Sequence, residues 1–389
     1  MKLIIGRKTM ERGASASASE AGASASEAGA SASEAGASAS EAGASASASA
    51  SEAGASASKT EAGASAAGAS AAEAETATGT ENDSALSPIK LLKQYIRALI
   101  LNIKRETLPP HINLIFDSGA VNGVVGIGAA LYIHLLEEMG YFEIKKVSGC
   151  SIGSLIAVWY IHGCPEELYC YANKLFTDYK TYKNFYMYES IVKELVYRLM
   201  PTDDMTTVND RLYINYYDTK KCKNQIVTHF KNRNHLIACI LRSSHVPFLT
   251  SKEHKCEGRY VDGIVPHIFR DNKHANLFIK LINCTDPLDC MKTKTEQNIY
   301  TRLLRGTSGV NDFFVNGSSQ LCSYMTPTSY VTLINLYLRK QIILLILCLI
   351  EWSIIIKKHI PLSIQETILY NKLMQLSKSC WNCLQNRLV

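Results

Sequence analysis

Residues 111–290 of this 389-residue chain are predicted to form an α/β domain with a mainly parallel central sheet. Two short apolar runs are each followed by a glycine-bearing turn and then by a helical pattern, and a third buried run, "NLFIKLIN", comes later. Repeated strand-to-helix units of this kind are typical of parallel strands whose helices cover the faces of the sheet.

The first 85 residues are predicted to be a disordered tail. Between Glu11 and Ala85 no apolar residue is larger than alanine, and the unit GASASEA recurs with glutamates spaced by seven. The period also suggests a coiled coil, but its seam would hold only Ala, Ser and Gly. Beyond residue 83 the chain carries 36 basic and 24 acidic side chains, which suits either an anionic membrane surface or an ordinary solvated surface.

A basic amphipathic helix is predicted over residues 86–110, leading into the domain. Ser87 is its expected cap, Pro88 fits its first turn, and two prolines end it at residues 109 and 110. Apolar side chains from Leu92 to Ile103 follow helical spacing, with basic residues between them. Such a helix either packs on its own domain or lies on a membrane.

From His111 onward strands and helices alternate. The strand "INLIF" leads through the loop "DSGAVNG" into a helix closed by Gly140, and a second strand at 144–147 leads into the helix "IGSLIAVWYIHG". Further on, "RLYINYYD" and "QIVTHF" predict a hairpin, and "LIACILRSSHVPF" predicts a helix and its exit.

Residues 291–389 are predicted to form a helical C-terminal region. It contains an apolar run at 342–356, which is shorter than the roughly 20 residues that span a bilayer. Two interpretations stay open: a helix buried in the core, or a helix on the membrane surface. The second is favoured by flanking basic residues, namely Arg339, Lys340, Lys357 and Lys358.

Cysteine usage predicts a reducing, cytoplasmic location, and the basic helix and the apolar run favour a protein that is peripheral on membranes. All 12 cysteines lie from Cys150 onward, and "MKLIIG" is too short for the apolar part of a signal peptide. The pair in "CWNC" at 380–383 has no second pair, and we find no HExxH or EF-hand loop, so no metal or cofactor is expected. No nucleic-acid motif is found either, so nucleic acid is not expected as a partner.

The clearest chemical motif is Gly149-Cys150-Ser151-Ile152-Gly153. It matches G-x-S-x-G, in which a nucleophilic serine is held on a sharp strand-to-helix turn. A side chain at either glycine would collide with the neighbouring strand or helix, and the following helix directs its N-terminal amides toward a developing oxyanion.

Two further stretches complete a candidate acyl-transfer site. The loop with Ser118, Gly119 and Ala120 exposes backbone amides before a helix, although it is also compatible with a plain strand-to-helix turn. Asp262 precedes Gly263 directly after an apolar strand, which suggests a carboxylate projected from a strand end.

Together these motifs resemble the patatin-like phospholipase family, over roughly residues 112–283. The segment "SSHVPFL" also looks like the family's approach to its aspartate strand. The resemblance implies a three-layer patatin-like fold, with Ser151 as nucleophile, Asp262 as base, and Gly119, Ala120 and Gly123 in the oxyanion loop. It implies a phospholipase A type lipid acyl hydrolase with a Ser-Asp dyad, acting on phospholipid or another lipid acyl ester.

The loop departs from the family pattern, which has three consecutive glycines followed by a basic residue. Here Ser118 and Ala120 replace glycines and Asn122 replaces the basic residue. A catalytically impaired lipid-binding protein, a triacylglycerol or lysophospholipid lipase, and an interaction protein built around the repeats therefore stay open as alternatives. A triad with His267 or His274 is a further alternative to the dyad.

Overall fold

The computed structural model describes residues 77–270, 273–283, 285–326 and 329–389. The repeats up to residue 76, and with them the predicted tail, lie outside the described residues. The strands are β1 (His111–Phe116), β2 (Glu143–Gly149), β3 (Leu212–Asp218), β4 (Lys223–Val227), β5 (Tyr260–Asp262), β6 (Ala275–Ile279) and β7 (Cys322–Met325).

A single sheet with the order β4-β3-β2-β1-β6-β7 forms the centre of the domain, and β5 pairs with the end of β3 on the edge opposite to β4. The four central strands, β3, β2, β1 and β6, run parallel, while β4, β5 and β7 join antiparallel. The predicted α/β class with a mainly parallel central sheet is confirmed, and antiparallel pairing is confined to the margins.

Helices flank this sheet. The longer ones are α1 (Ala77–Ile100), α2 (Gly123–Glu138), α3 (Ile152–Ile161), α4 (Glu167–Tyr182), α5 (Tyr188–Leu199), α6 (Arg233–Ser243), α7 (Tyr300–Asn316), α8 (Tyr330–His359) and α10 (Ile368–Leu388), with the short α9 (Leu362–Gln365) before the last. Side chains of β1 alternate between two faces: Leu114 and Phe116 enter the main core, whereas Ile115 faces a smaller cluster beneath α8.

The first helix packs on its own domain. α1 begins at Ala77, ten residues before the predicted Ser87 cap, and continues through Pro88. Its apolar side chains Leu92, Ile96 and Ile100 lie in the main core, so of the two interpretations the packed helix is the one observed. Its predicted apolar face is therefore used for folding.

The C-terminal third contributes to the core through α7. Gly128 on α2 and Gly306 on α7 let the two helix backbones approach closely, because a Cβ on Gly128 would lie 2.1 Å from the Leu303 carbonyl oxygen. A Cβ on Gly306 would lie 2.0 Å from the Val125 carbonyl oxygen. These contacts bind α7 to α2, the helix that follows the oxyanion loop.

Among the residues that the structure describes, two helical stretches are long and apolar enough to cross a membrane by length and composition alone, Ala120–Glu138 and Tyr330–His359. The first is largely buried within the protein. The second, α8, has none of its most apolar window buried, and Leu336 is the buried residue of this helix. The interpretation of 342–356 as a buried core helix is therefore wrong.

Candidate active site

Ser151 lies on a sharp turn between β2 and α3. Its backbone has φ 55° and ψ −131°, a left-handed region that a residue with a side chain adopts only at a cost of about 1–3 kcal/mol. Its amide donates to the Ser243 hydroxyl at 3.0 Å, and that hydroxyl in turn donates to the Asn215 carbonyl at 2.8 Å. The strained turn is therefore fixed from the neighbouring β3 and α6.

The two glycines of the motif are required by close packing. A Cβ on Gly149 would lie 2.2 Å from the Gly153 carbonyl oxygen, and a Cβ on Gly153 would lie 2.5 Å from the Asp117 carbonyl oxygen. Both contacts are with backbone, which cannot move aside as a flexible side chain would. The expected collision with strand or helix is thus present at both positions.

Asp262 is the last residue of β5, where it pairs with Tyr216 of β3. Gly263 follows against the Asn215 backbone, since a Cβ there would lie 2.4 Å from that carbonyl oxygen. The carboxylate accepts the Ile264 amide at 2.7 Å and faces the Cys150 thiol at 3.6 Å.

Burial raises the pKa of Asp262 to about 6. A hydrogen bond from the Ser151 hydroxyl lowers this pKa in part, as do the Ile264 amide, the Cys150 thiol and the positive charge of Arg339. The carboxylate therefore lies near the serine hydroxyl, and its raised pKa suits a group that accepts a proton near neutral pH.

The loop after β1 turns through a 3-10 helix at Ala120–Asn122 into α2. The amides of Asn122 and Gly123 donate back within this turn, to the carbonyls of Gly119 and Ala120. The amides of Gly119 and Ala120 precede the turn and are not needed to close it, as at the start of any helix. Gly123 has a packing role, because a Cβ at this position would lie 2.3 Å from Cγ1 of Ile152.

Ala120 occupies a position that favours glycine, because its φ is 43°. The side chain of Ser118, by contrast, forms a hydrogen bond: its hydroxyl donates to the Ile264 carbonyl at 2.9 Å. Of the two replaced glycines, only Ala120 is therefore held in a strained backbone conformation.

The basic residue that the loop lacks is replaced from another part of the chain. Arg302 of α7 is buried, and its guanidinium donates to the Asn122 side-chain oxygen and pairs with Glu296 at 2.7 Å. Asn122 also donates to the Leu281 carbonyl at 2.9 Å. A buried guanidinium thus holds the Asn122 side chain before α2, although the local sequence gives no sign of it.

The two histidines considered for a triad pack in aromatic contacts. His274 lies against His111, with ring centroids 5.5 Å apart, at the amino ends of β6 and β1. Ser151 follows the carboxyl end of β2, at the opposite edge of these parallel strands. His267 stacks on Tyr213 with centroids 5.4 Å apart.

An apolar cleft opens beside Ser151 and Ala120. Its walls come from α2, α3, α4 and the segment after α6, and they include Ile127, Leu155 and Phe176. Such a lining fits a hydrocarbon chain and offers few polar partners. Ser151 and Ala120 therefore lie together in the wall of this apolar cleft.

Sequence reasoning did not assign Ser243, Arg302 or Arg339 to the site. Ser243 is the first residue of "SSHVPFL", and the resemblance of that segment to the family was a signal that could have identified it. The two arginines lie in the C-terminal third, where no motif indicated them. The sequence-predicted Ser151, Asp262, Gly119 and Ala120 are brought together at the carboxyl edge of the parallel strands.

Comparison with known proteins agrees with this geometry. The patatin-like phospholipase family model matches residues 114–272. The human patatin-like phospholipase domain-containing protein 4 is 26% identical over 163 residues, which cover 39% of this chain and 64% of the human protein. The matched part thus spans less than two thirds of that relative. The family supports lipid acyl hydrolysis in general.

Proposed function

We propose that this protein is a phospholipase A type acyl hydrolase that uses Ser151 as nucleophile and Asp262 as general base. The observation that carries the proposal is the placement of the Asp262 carboxylate at the serine turn, where it lies 3.6 Å from the thiol of the adjacent Cys150 and where burial raises its pKa to about 6. A base of this strength is largely ionised at pH 7 yet holds a proton well enough to return it.

The reaction proceeds in two balanced halves. The Ser151 oxygen attacks the ester carbonyl while its proton passes to Asp262, and the amides of Gly119 and Ala120 hold the resulting oxyanion. The intermediate collapses, and the leaving alcohol takes the proton from Asp262. Water then attacks the acyl-enzyme, again giving its proton to Asp262, and the fatty acid leaves as Ser151 is restored.

The substrate is a fatty-acyl ester of a membrane phospholipid. The apolar cleft beside Ser151 receives the acyl chain, and the exposed apolar side chains of α8 supply a surface for the bilayer. They include Ile342, Leu345, Leu349 and Trp352, and Lys357 and Lys358 lie in the last turn of this helix. Basic groups near an anionic leaflet contribute about 1 kcal/mol each. The protein is proposed to be cytoplasmic and peripheral on membranes.

A second candidate is a lipid-binding protein with impaired turnover. It is favoured by Ala120, which holds φ 43° where a glycine would be unstrained. Poor placement of one oxyanion donor costs about 10²–10³ in kcat. A fluorophosphonate probe separates the two candidates, because an active nucleophile and oxyanion loop label at Ser151 while an impaired site stays unlabelled.

The test is acyl release from mixed phospholipid vesicles by the native protein and by Ser151→Ala and Asp262→Asn. We expect free fatty acid from the native protein alone, with both variants falling to the same background because the two residues act as one unit. Release by Ser151→Ala at the native rate would refute the proposal. Neutral-lipid and lysophospholipid substrates in parallel reactions identify the preferred ester.

A further inference from the structure

The side chain of Arg339 is largely buried, although most of its helix is exposed. It is on α8, and its guanidinium forms a two-pronged ion pair with Asp117, at 2.8 Å from Nη1 to Oδ2 and 2.5 Å from Nη2 to Oδ1. The Asp117 side chain is fully buried, and that of Arg339 is 16% exposed. Parallel hydrogen bonds of this type fix orientation as well as distance.

Asp117 begins the oxyanion loop, so this ion pair acts on the loop directly. The carboxylate that Arg339 holds also accepts the Ser118 amide at 2.9 Å. Gly119 and Ala120, whose amides are proposed to bind the oxyanion, follow immediately. The orientation of the loop therefore depends on the carboxylate that Arg339 holds.

Arg339 also reaches the loop that follows the proposed base. Its Nη2 donates to the Ile264 carbonyl at 3.0 Å, and the Ser118 hydroxyl donates to the same carbonyl at 2.9 Å. The Ile264 amide in turn donates to Asp262. Ile264 has φ 69°, which a β-branched residue adopts only when its surroundings enforce it.

The remainder of α8 makes a small contribution to the core. Leu336 and Leu333 pack on the cluster beneath it, which includes Ile115, Phe269 and Phe278. Beyond Arg339 the apolar side chains of the helix are largely exposed. Exposing this much apolar surface to water is unfavourable in free energy, whereas burying it in the apolar part of a bilayer is favourable.

We propose that Arg339 is a positioning residue through which the seating of α8 sets the distance between the oxyanion loop and Asp262. This inference rests on the proposed function, and the lipid bilayer is the surface that covers α8. A bilayer that holds α8 in place stabilises the seated state and raises its population. Basic Lys357 and Lys358 in the last turn of the same helix complement an anionic leaflet.

The first test measures hydrolysis of a monomeric, soluble short-chain ester. The variants are Arg339→Gln, Arg339→Lys and the control Lys340→Gln, which removes the same charge from the adjacent residue, whose amine lies 5.7 Å from the Tyr217 ring centre. We expect kcat to fall about 100-fold in Arg339→Gln, since misplacement by about 1 Å costs that much. Lys340→Gln keeps the native kcat.

Arg339→Lys keeps a positive charge beside the buried Asp117 but loses the two-pronged geometry. We expect it to fold, as judged by circular dichroism and thermal unfolding, and to lose about 10-fold in kcat with little change in KM. It keeps the inference testable where Arg339→Gln fails to fold. Native kcat in a folded Arg339→Lys protein refutes the inference.

The pH profile gives a readout that a purely structural role would not change. Burial raises the pKa of Asp262, and the positive charge of Arg339 opposes this rise. In Arg339→Gln the pKa of Asp262 should therefore be higher, and the acid limb of the kcat–pH profile, where kcat falls as Asp262 is protonated, should move to higher pH. Besides Arg339, the groups that act on or near this carboxylate are the Cys150 thiol, the Tyr188 hydroxyl and Asp117. Unchanged acid limbs in all variants refute the inference.

The second test adds vesicles of non-hydrolysable diether phospholipids with an anionic component to the soluble-ester assay. Native protein and Lys340→Gln should be stimulated, whereas folded Arg339→Lys should bind the vesicles with much less stimulation. Equal stimulation of Arg339→Lys overturns the coupling. Failure of the proposed function would give a different result: Ser151→Ala would then hydrolyse the soluble ester at the native rate.

Discussion

Replacing Asp262 by Asn should abolish activity while stabilising the fold. The carboxylate is held in a buried position where its charge is unfavourable, as its raised pKa indicates. Asparagine keeps an oxygen that accepts the Ile264 amide but carries no charge. The residue proposed for catalysis is thus one that the fold would tolerate better in neutral form.

The magnitude follows from the difference in pKa. A rise from 3.8 to about 6 corresponds to about 3 kcal/mol between the protonated and ionised forms. This is an upper limit for the gain in the free energy of unfolding at pH 7, because the amide does not reproduce every contact of the carboxylate; we expect about 1–3 kcal/mol.

The size of this stability difference depends on pH. Because the folded-state pKa lies above the unfolded value, the group stabilises the fold least when both states are ionised. Stability of the native protein from this group falls as pH rises from about 4 to about 6 and is level above that. The advantage of Asp262→Asn should therefore be full at pH 7 and absent near pH 3.5. Hydrolysis by the native protein should fall about tenfold for each pH unit below 6.

The assay is urea unfolding of native and Asp262→Asn proteins at several pH values, together with acyl release at matched folded concentration. Asp218→Asn is the matched control, since Asp218 is also buried on the neighbouring β3 but pairs with Arg259 at 2.7 Å, which lowers the pKa of Asp218 to about 2. Its replacement should destabilise the protein and leave hydrolysis nearly unchanged. Loss of stability in Asp262→Asn at pH 7, or retained hydrolysis, would refute the reasoning.

Three further predictions concern the same site. Alanine at His267 or His274 should keep most of the rate of acyl release, and loss of activity to the Ser151→Ala level in either variant would favour a triad. Ala120→Gly should relieve the strain at φ 43°, adding about 1 kcal/mol to the free energy of unfolding and raising kcat; a lower melting temperature would contradict this. Ser151→Gly should be more stable than Ser151→Ala by about 1 kcal/mol, because glycine accepts φ 55° without strain; equal urea midpoints would count against a strained turn.

Local sequence sufficed for the parallel core of the fold. The β-branched runs before Asp117 and Cys150, and the helical patterns after them, correspond to β1, α2, β2 and α3. A strand-to-helix turn needs small residues at particular places, and the glycines of the serine motif supplied that signal without knowledge of any distant contact. Asp262 could be predicted for the same reason, because an apolar strand leads directly to it.

By itself, then, the sequence determined the fold class, the central strands, and Ser151 and Asp262 as the residues most suited to acyl transfer. Only the tertiary structure decided that α8 is exposed, that Arg302 supports Asn122, and that Arg339 joins the oxyanion loop to the strand end after Asp262. These contacts link residues separated by 180 positions for Arg302 and 222 for the Arg339–Asp117 pair. A propensity or a motif is a property of neighbouring residues, whereas a buried ion pair exists only once the chain has brought distant segments together.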